Sequence, residues 1–153
     1  MIRFAKTADL EQVQRLRKEV NDIHVQGRPD LFKAGFGKEL QDHIYAYMVS
    51  ENNQIVVDEE DGMIRGMVML DWIDRQENAY AHARKLCHIS ELCVDAAFRG
   101  EGIGHALLGF VRQEAQKRGF PRIELDVWDF NDALTFYEHE GFKVYRRFLE
   151  MDV

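Results

Sequence analysis

The sequence predicts an α/β fold: a mixed β-sheet, antiparallel in its N-terminal half and parallel in a central pair of strands, flanked by about four helices. Three observations carry this. Two apolar runs, Gln54 to Glu59 and Met63 to Trp72, flank the turn Glu60-Asp61-Gly62, the pattern of a β-hairpin. Further on, an apolar strand at Leu86 to Asp95, a glycine-rich turn, an amphipathic helix and a strand at Arg122 to Trp128 form a crossover unit, which joins parallel strands with right-handed sense. Before the hairpin, apolar residues at helical spacing supply two more helices.

In chain order, Ile2 to Ala5 reads as a short first strand. Thr7 or Asp9 offers an N-cap for a helix reaching about Ile23, with Leu10, Val13, Leu16, Val20 and Ile23 as its apolar face and the arginines and lysine between them as a solvated face. Pro29, in the stretch Gly27 to Gly37, breaks that pattern. Phe36, Leu40, Ile44 and Met48 then recur every four residues and predict a second helix. After the hairpin, Glu77 to Arg84 is a polar connection. Ile103, Ala106, Leu107, Phe110, Val111 and Ala115 mark the apolar side of the crossover helix, which Gly119 ends and Pro121 keeps from resuming. In the next strand Ile123, Leu125 and Val127 alternate with Arg122, Glu124 and Asp126. Asn131 or Asp129 caps a last helix ending near Gly141, and Phe142 to Val153 is expected to close the chain as one or two strands.

The chain of 153 residues, 46% hydrophobic and 31% charged, fits a single domain spanning 1–153. Charged residues interrupt the N-terminus before any run of signal-peptide length, and nowhere do about 18 apolar residues follow one another, so a soluble, cytoplasmic protein without a membrane partner is expected. A net charge of -7 opposes nucleic acid as a partner and suits a cationic one. Cys87 and Cys93, the only cysteines, match no zinc pattern, and neither do His82 and His88 beside them. No metal is expected, and the thiols read as buried and free.

The turn Arg99-Gly100-Glu101-Gly102-Ile103-Gly104 carries the chemistry. Glycines at alternate positions let consecutive amide N-H groups approach one anion, and the helix that starts there adds its unpaired amides and the positive end of its dipole. This is a phosphate cradle. It lacks the spacing of a dinucleotide fingerprint, which needs glycine at His105 or Leu107, and it lacks the Gly-Lys-Ser/Thr of a P-loop.

Arg99-x-x-Gly102-x-Gly104, after an apolar strand and opening a helix, resembles the acyl-CoA pyrophosphate loop of the GNAT superfamily of N-acetyltransferases. A second family pattern follows in Ala133, Phe136, Tyr137, Gly141 and Phe142. The resemblance implies an enzyme that uses acetyl-CoA to acetylate a primary amine of a small molecule or peptide. Residues 24 to 33 would then overhang the acceptor, and a homodimer would be in keeping with the look-alikes. It implies cofactor contacts from Leu92, Cys93 and Val94 at the strand end, from Arg99, Gly100, Glu101, Gly102, Ile103, Gly104 and His105 in the cradle, and from Asn131. Asn131 stands six residues before Tyr137 where the family usually has asparagine seven before, so it serves the cofactor or only caps the helix.

Acetyl transfer from a thioester to an amine requires three things: a deprotonated amine, a held oxyanion and a proton for the departing sulfur. An amine of pKa ~10.4 is mostly protonated at pH 7, a deficit of roughly 4 to 5 kcal/mol, so a base is useful. Tyr137 matches the family tyrosine that protonates the thiolate. For the base, His88 and Glu91 both stand on the strand before the cradle. Plain alternation puts them on opposite faces, and a bulge of the kind common in this strand would reset the phase, so both remain candidates. A reading from a different class is a noncatalytic acyl-CoA-binding or sensing module that keeps the cradle and performs no transfer.

Overall fold

The structure, a computed structural model, describes residues 1–153. Its elements run β1 (Ile2–Phe4), α1 (Leu10–Gly27), α2 (Lys38–Met48), β2 (Asn53–Glu60), β3 (Met63–Arg75), β4 (Arg84–Val94), α3 (Ile103–Lys117), β5 (Ile123–Leu125) and α4 (Leu134–His139). The five strands form one sheet in the order β1-β2-β3-β4-β5, antiparallel up to β4 and parallel between β4 and β5. The mixed sheet flanked by four helices agrees with the sequence reading.

The hairpin forms because Asp61 and Gly62 both take positive φ, 51° and 79°, which matches the twist of the flanking strands. β2 and β3 are buried on both faces. Val56, Val68, Leu70 and Trp72 face α3, where they pack with Leu107, Leu108 and Val111. Ile55, Val57, Met67 and Met69 face the other way, against Val13, Leu16 and Val20 of α1 and Ile44 of α2. The sheet is therefore the middle of three layers, which explains why its central strands read as near-continuous apolar runs.

Asp9 fixes the start of α1. It is 9% exposed, accepts from both terminal nitrogens of Arg3 at 2.7 and 3.0 Å and from the Lys6 amide at 2.7 Å, and its pKa is lowered chiefly by the Arg3 hydrogen bonds. The helix runs on to Gly27, four residues past the apolar pattern, until Pro29 stops it.

Two expectations are corrected. Residues 142–153 form no strand, and β5 ends at Leu125 rather than Trp128. The tail lies beyond β5 through side-chain contacts: the Tyr145 hydroxyl donates to Glu124 at 2.8 Å, and Arg28 on the far lip reaches Glu150 at 2.7 Å. With Lys143, Arg146, Arg147 and Glu150 interspersed among its apolar residues, the tail meets its neighbours through charge and hydroxyl groups rather than a backbone ladder.

Candidate active site

The turn before α3 opens with Asp95, whose carboxylate accepts from the Ala97 amide at 2.9 Å and curls the chain off β4. Gly100 and Gly102 then adopt φ of 87° and 80°, a region that side chains strain to enter. Gly104 is needed for a different reason. A Cβ there would stand 3.1 Å from Cζ of Phe136, so this glycine lets α4 close on α3. Gly66 on β3 does the same beneath the turn, where a Cβ would meet Ile103 at 2.9 Å and the Cys93 carbonyl at 3.2 Å.

The backbone amides of Gly100 through His105 have no partner within the protein, the first bonded amide of the helix being Ala106, which donates to Gly102 at 3.0 Å. Unpaired donors converging at a helix N-terminus suit a di-anion such as a pyrophosphate. Around this cradle, Arg99 donates from Nε to the Val94 carbonyl at 3.1 Å. The His105 imidazole pairs through Nδ1 with Glu140 at 2.8 Å, and Arg112 reaches the same carboxylate at 3.2 Å, tying α3 to the end of α4. The Glu101 side chain turns outward, 3.8 Å from Arg65.

β5 follows β4 only from Cys87 to Ile89, its last partner being Leu125. From Ser90 to Val94, β4 therefore has β3 on one side and an open backbone edge on the other. The edge faces a cleft of about 2270 Å³ that runs from the cradle, past β4 and α4, to α1 and the tail. Of the predicted site residues, His88, Glu91, Leu92, Cys93, Val94, Arg99, Gly100, Gly102, Ile103, Gly104, His105, Asn131 and Tyr137 all line it, and Glu101 does not. Such a volume exceeds the range of ~300–1,000 Å³ usual for small-ligand pockets and suits a long two-part occupant.

The register of β4 answers a question the sequence left open. Met69 pairs with Glu91 and Leu70 with Ile89, so Ser90 is the extra residue of a β-bulge. Beyond the bulge Leu92 and Val94 join Cys87 and Ile89 on the α3 face, while Glu91 and Cys93 turn to the α1 face, where His88 also points. Asp71 pins the bulge: it accepts from the Ser90 hydroxyl, the Tyr47 hydroxyl and the Asn53 amide, each at 2.5 Å. Both base candidates thus share one face.

Their surroundings differ. The Glu91 side chain is 16% exposed, 3.3 Å from Nη2 of Arg17, and burial lifts its carboxyl above the ordinary range, with the Arg17 charge opposing. Tyr137, on the inner face of α4, is 9% exposed. Its phenol is pushed up to about 12, first by burial and second by the Glu91 charge. His88 instead sits beside β5, 3.8 Å from Glu124 and 4.0 Å from Asp126. Asn131 Oδ1 accepts from the Ala133 amide at 3.0 Å, ordering the turn into α4. Cys87 and Cys93 are buried and free, their thiols pushed up to about 12 mainly by burial, and no cluster of His, Cys, Asp and Glu is arranged to hold a metal.

At the other end of the cleft, His24 of α1 stacks on Phe32 at 5.0 Å and Phe32 meets Trp128 edge-on at 5.3 Å, so the irregular segment after α1 is packed onto the loop after β5. Gly27 allows this, since a Cβ there would overlap the Phe130 ring at 2.4 Å. Sequence reasoning passed over three residues here: Gly66, Ser90 and Arg17. Arg17 was assigned to a solvated face, yet Leu10, Val13, Arg17, Val20 and His24 follow the spacing of a buried stripe, a signal that it points inward.

Comparison with known proteins agrees with this geometry. The family model described as Acetyltransferase (GNAT) family matches residues 16–142. The chain is similar to the aminoalkylphosphonate N-acetyltransferase of Salmonella typhimurium, with 30% identity over 145 residues covering 93% of this chain and 84% of that protein. Its fold superposes on a mutant form of the BH1408 protein from Bacillus halodurans with a TM-score of 0.95 and 28% identity, covering 100% of this chain and 99% of that one. It also superposes on an aminoglycoside N-acetyltransferase in complex with CoA, with a TM-score of 0.73 and 16% identity over 100% and 98% of the two chains, a likeness of fold alone.

Proposed function

Since this chain belongs to the GNAT family of acetyltransferases, we propose that it transfers an acetyl group from acetyl-CoA to the primary amine of a small molecule or peptide. The observation that carries this reading is the meeting, in one cleft, of a cradle of unpaired amides, an open strand edge and a buried tyrosine beside a buried glutamate. The amides of Gly100 to His105 and the N-terminus of α3 would hold the pyrophosphate. The edge from Leu92 to Val94 would pair with the pantetheine arm and aim a backbone donor at the thioester carbonyl, a form of preorganisation that can supply a few kcal/mol. Glu140 keeps the His105 and Arg112 side chains occupied, so His105 would serve the phosphates through its backbone.

When bound, acetyl-CoA supplies an activated acyl group whose C–S bond breaks as the C–N bond to the amine forms. Glu91 then receives a proton from the amine, for which its burial-raised basicity is suited, and Tyr137 gives a proton to the sulfur, which a phenol pushed up to about 12 retains at neutral pH. His88 is three strand positions away, 3.8 Å from Glu124 of β5 and 4.0 Å from Asp126 just past it, and would face the acceptor rather than the sulfur. The name of the Salmonella relative supports a small primary amine as acceptor.

Calorimetric titration with acetyl-CoA tests the cradle. Wild-type protein is expected to bind, and Gly102→Val, which forces a β-branched residue to φ near 80°, is expected to bind at least tenfold more weakly. Equal affinity in a folded variant would refute the cradle, and binding without thiol release on any amine would support the sensing module instead.

A further inference from the structure

We infer that Asp71 is a positioning residue for the base: by holding Ser90 it decides which of two residues bulges from β4, and so keeps Glu91 on the α1 face. This rests on the acetyl-transfer reading and deepens it. Between the pair of Leu70 with Ile89 and that of Val68 with Leu92, β3 supplies one residue, Met69, and β4 supplies two, Ser90 and Glu91. Either of the two can pair with Met69 while the other stands out of the ladder, and Leu92 to Val94 keep their partners in both cases. Met69 faces α1, so the residue that pairs with it shares that face. In the structure that residue is Glu91, which meets Nη2 of Arg17 at 3.3 Å. With Glu91 as the extra residue instead, its carboxylate would leave that place.

What separates the two arrangements is Ser90. Its hydroxyl donates to Oδ2 of Asp71 at 2.5 Å and lies 3.3 Å from the Tyr47 hydroxyl. Asp71 stands opposite His88, so this bond draws Ser90 back along β3 and away from Met69. Oδ1 of Asp71 is anchored from two further elements, by the Tyr47 hydroxyl of α2 and the Asn53 amide of β2, each at 2.5 Å. Burial above all, and then the Asp71 hydrogen bond, holds the Tyr47 phenol well above its ordinary range, so it stays a donor at neutral pH. The sheet does not need this network in order to pair, since long backbone ladders join β3 to β2 and to β4. Asp71, Tyr47 and Asn53 also stay outside the lining of the cleft, and only Ser90 reaches it. A carboxylate that gathers donors from three elements is thus left with the placement of Ser90 as its task. Around Glu91 the charged or titratable groups are Arg17 of α1, Tyr137 of α4 and Cys93 on β4 itself.

The test reads Glu91 both directly and through the reaction. In a carboxyl-carbon NMR titration, Glu91 of the wild-type protein should titrate above the ordinary carboxylate range, and in Ser90→Ala it should return toward that range as it leaves its buried place. The same titration curve in both folded proteins overturns the assignment. The turnover measurement is thiol release from acetyl-CoA with the fastest of spermidine, phenethylamine and 3-aminopropylphosphonate. Ser90→Ala and Asp71→Ala should each lower kcat by roughly tenfold or more, and Ser90→Thr, which keeps the hydroxyl, should retain most of the rate. In a Glu91→Gln background Ser90→Ala should change kcat by less than about threefold. An equal loss in both backgrounds also overturns the assignment, since Ser90 would then act by a route other than Glu91. Should Asp71→Ala fail to fold, Ser90→Ala strips the same bond from its exposed end and carries the test alone. No release with any of the three amines refutes the acetyl-transfer reading itself, and the NMR titration then still decides the role of Asp71.

Discussion

At the scale of single residues, proton transfer is divided between Tyr137 and Glu91 in the proposed reaction. Tyr137→Phe keeps the ring packed against Phe136 and Phe142 but removes the proton, so kcat should fall by roughly 10²-fold while acetyl-CoA affinity, measured by titration, stays nearly the same. Glu91 acts as a base only when ionised, and its carboxyl is raised above the ordinary value, so kcat/KM should rise with pH through a limb lying above the usual carboxylate range. Glu91→Gln should remove that limb and His88→Gln should leave it. The reverse pair of results in the two pH profiles would move the role to His88. That Tyr137 lines the cleft was legible in the sequence because a motif fixes its register. That Glu91 and His88 share one face was not, because it turns on Ser90, a bulge residue that no local pattern marks and that Asp71 pins from a neighbouring strand.

At the scale of elements, glycine-rich turns and apolar periodicity made most of the fold readable: hairpin, crossover and both N-terminal helices stand where they were expected. Two glycines of the cradle, Gly100 and Gly102, are explained by backbone conformation, whereas Gly104 is explained by Phe136, a partner 32 positions on that spacing alone cannot reveal. The tail misread as strand shows the converse: it lies beside β5, the edge strand of the sheet, yet meets it through side chains such as Tyr145 on Glu124 and not through a ladder, a difference that no local pattern marks. The entry to α1 gives a stability prediction. Asp9 accepts three hydrogen bonds, two of them from Arg3, so Asp9→Asn should cost about 1–3 kcal/mol in urea unfolding at pH 7. Its folded-state pKa is depressed, so this contribution is complete above the unfolded value of about 3.9 and is lost as pH falls through the lower folded value. The two proteins should converge in stability on acidification.

At the scale of the whole molecule, the sheet separates two apolar layers, and the cleft opens where β5 stops following β4. Net charge and composition set an expectation about the class of partner, whereas the pairing of Arg17 with Glu91 comes from tertiary packing of α1 on β4 and could not be read from either. The chain has no helix long and apolar enough to cross a membrane. The central claim is that this cleft moves an acetyl group from acetyl-CoA to an amine with Tyr137 as the acid. Its most direct test is the rate of thiol release from acetyl-CoA with and without a primary amine, compared between wild-type protein and Tyr137→Phe. Amine-dependent release that falls by roughly 10²-fold in the variant is expected. Release that ignores the amine, or that is unchanged in a folded Tyr137→Phe protein, would contradict it.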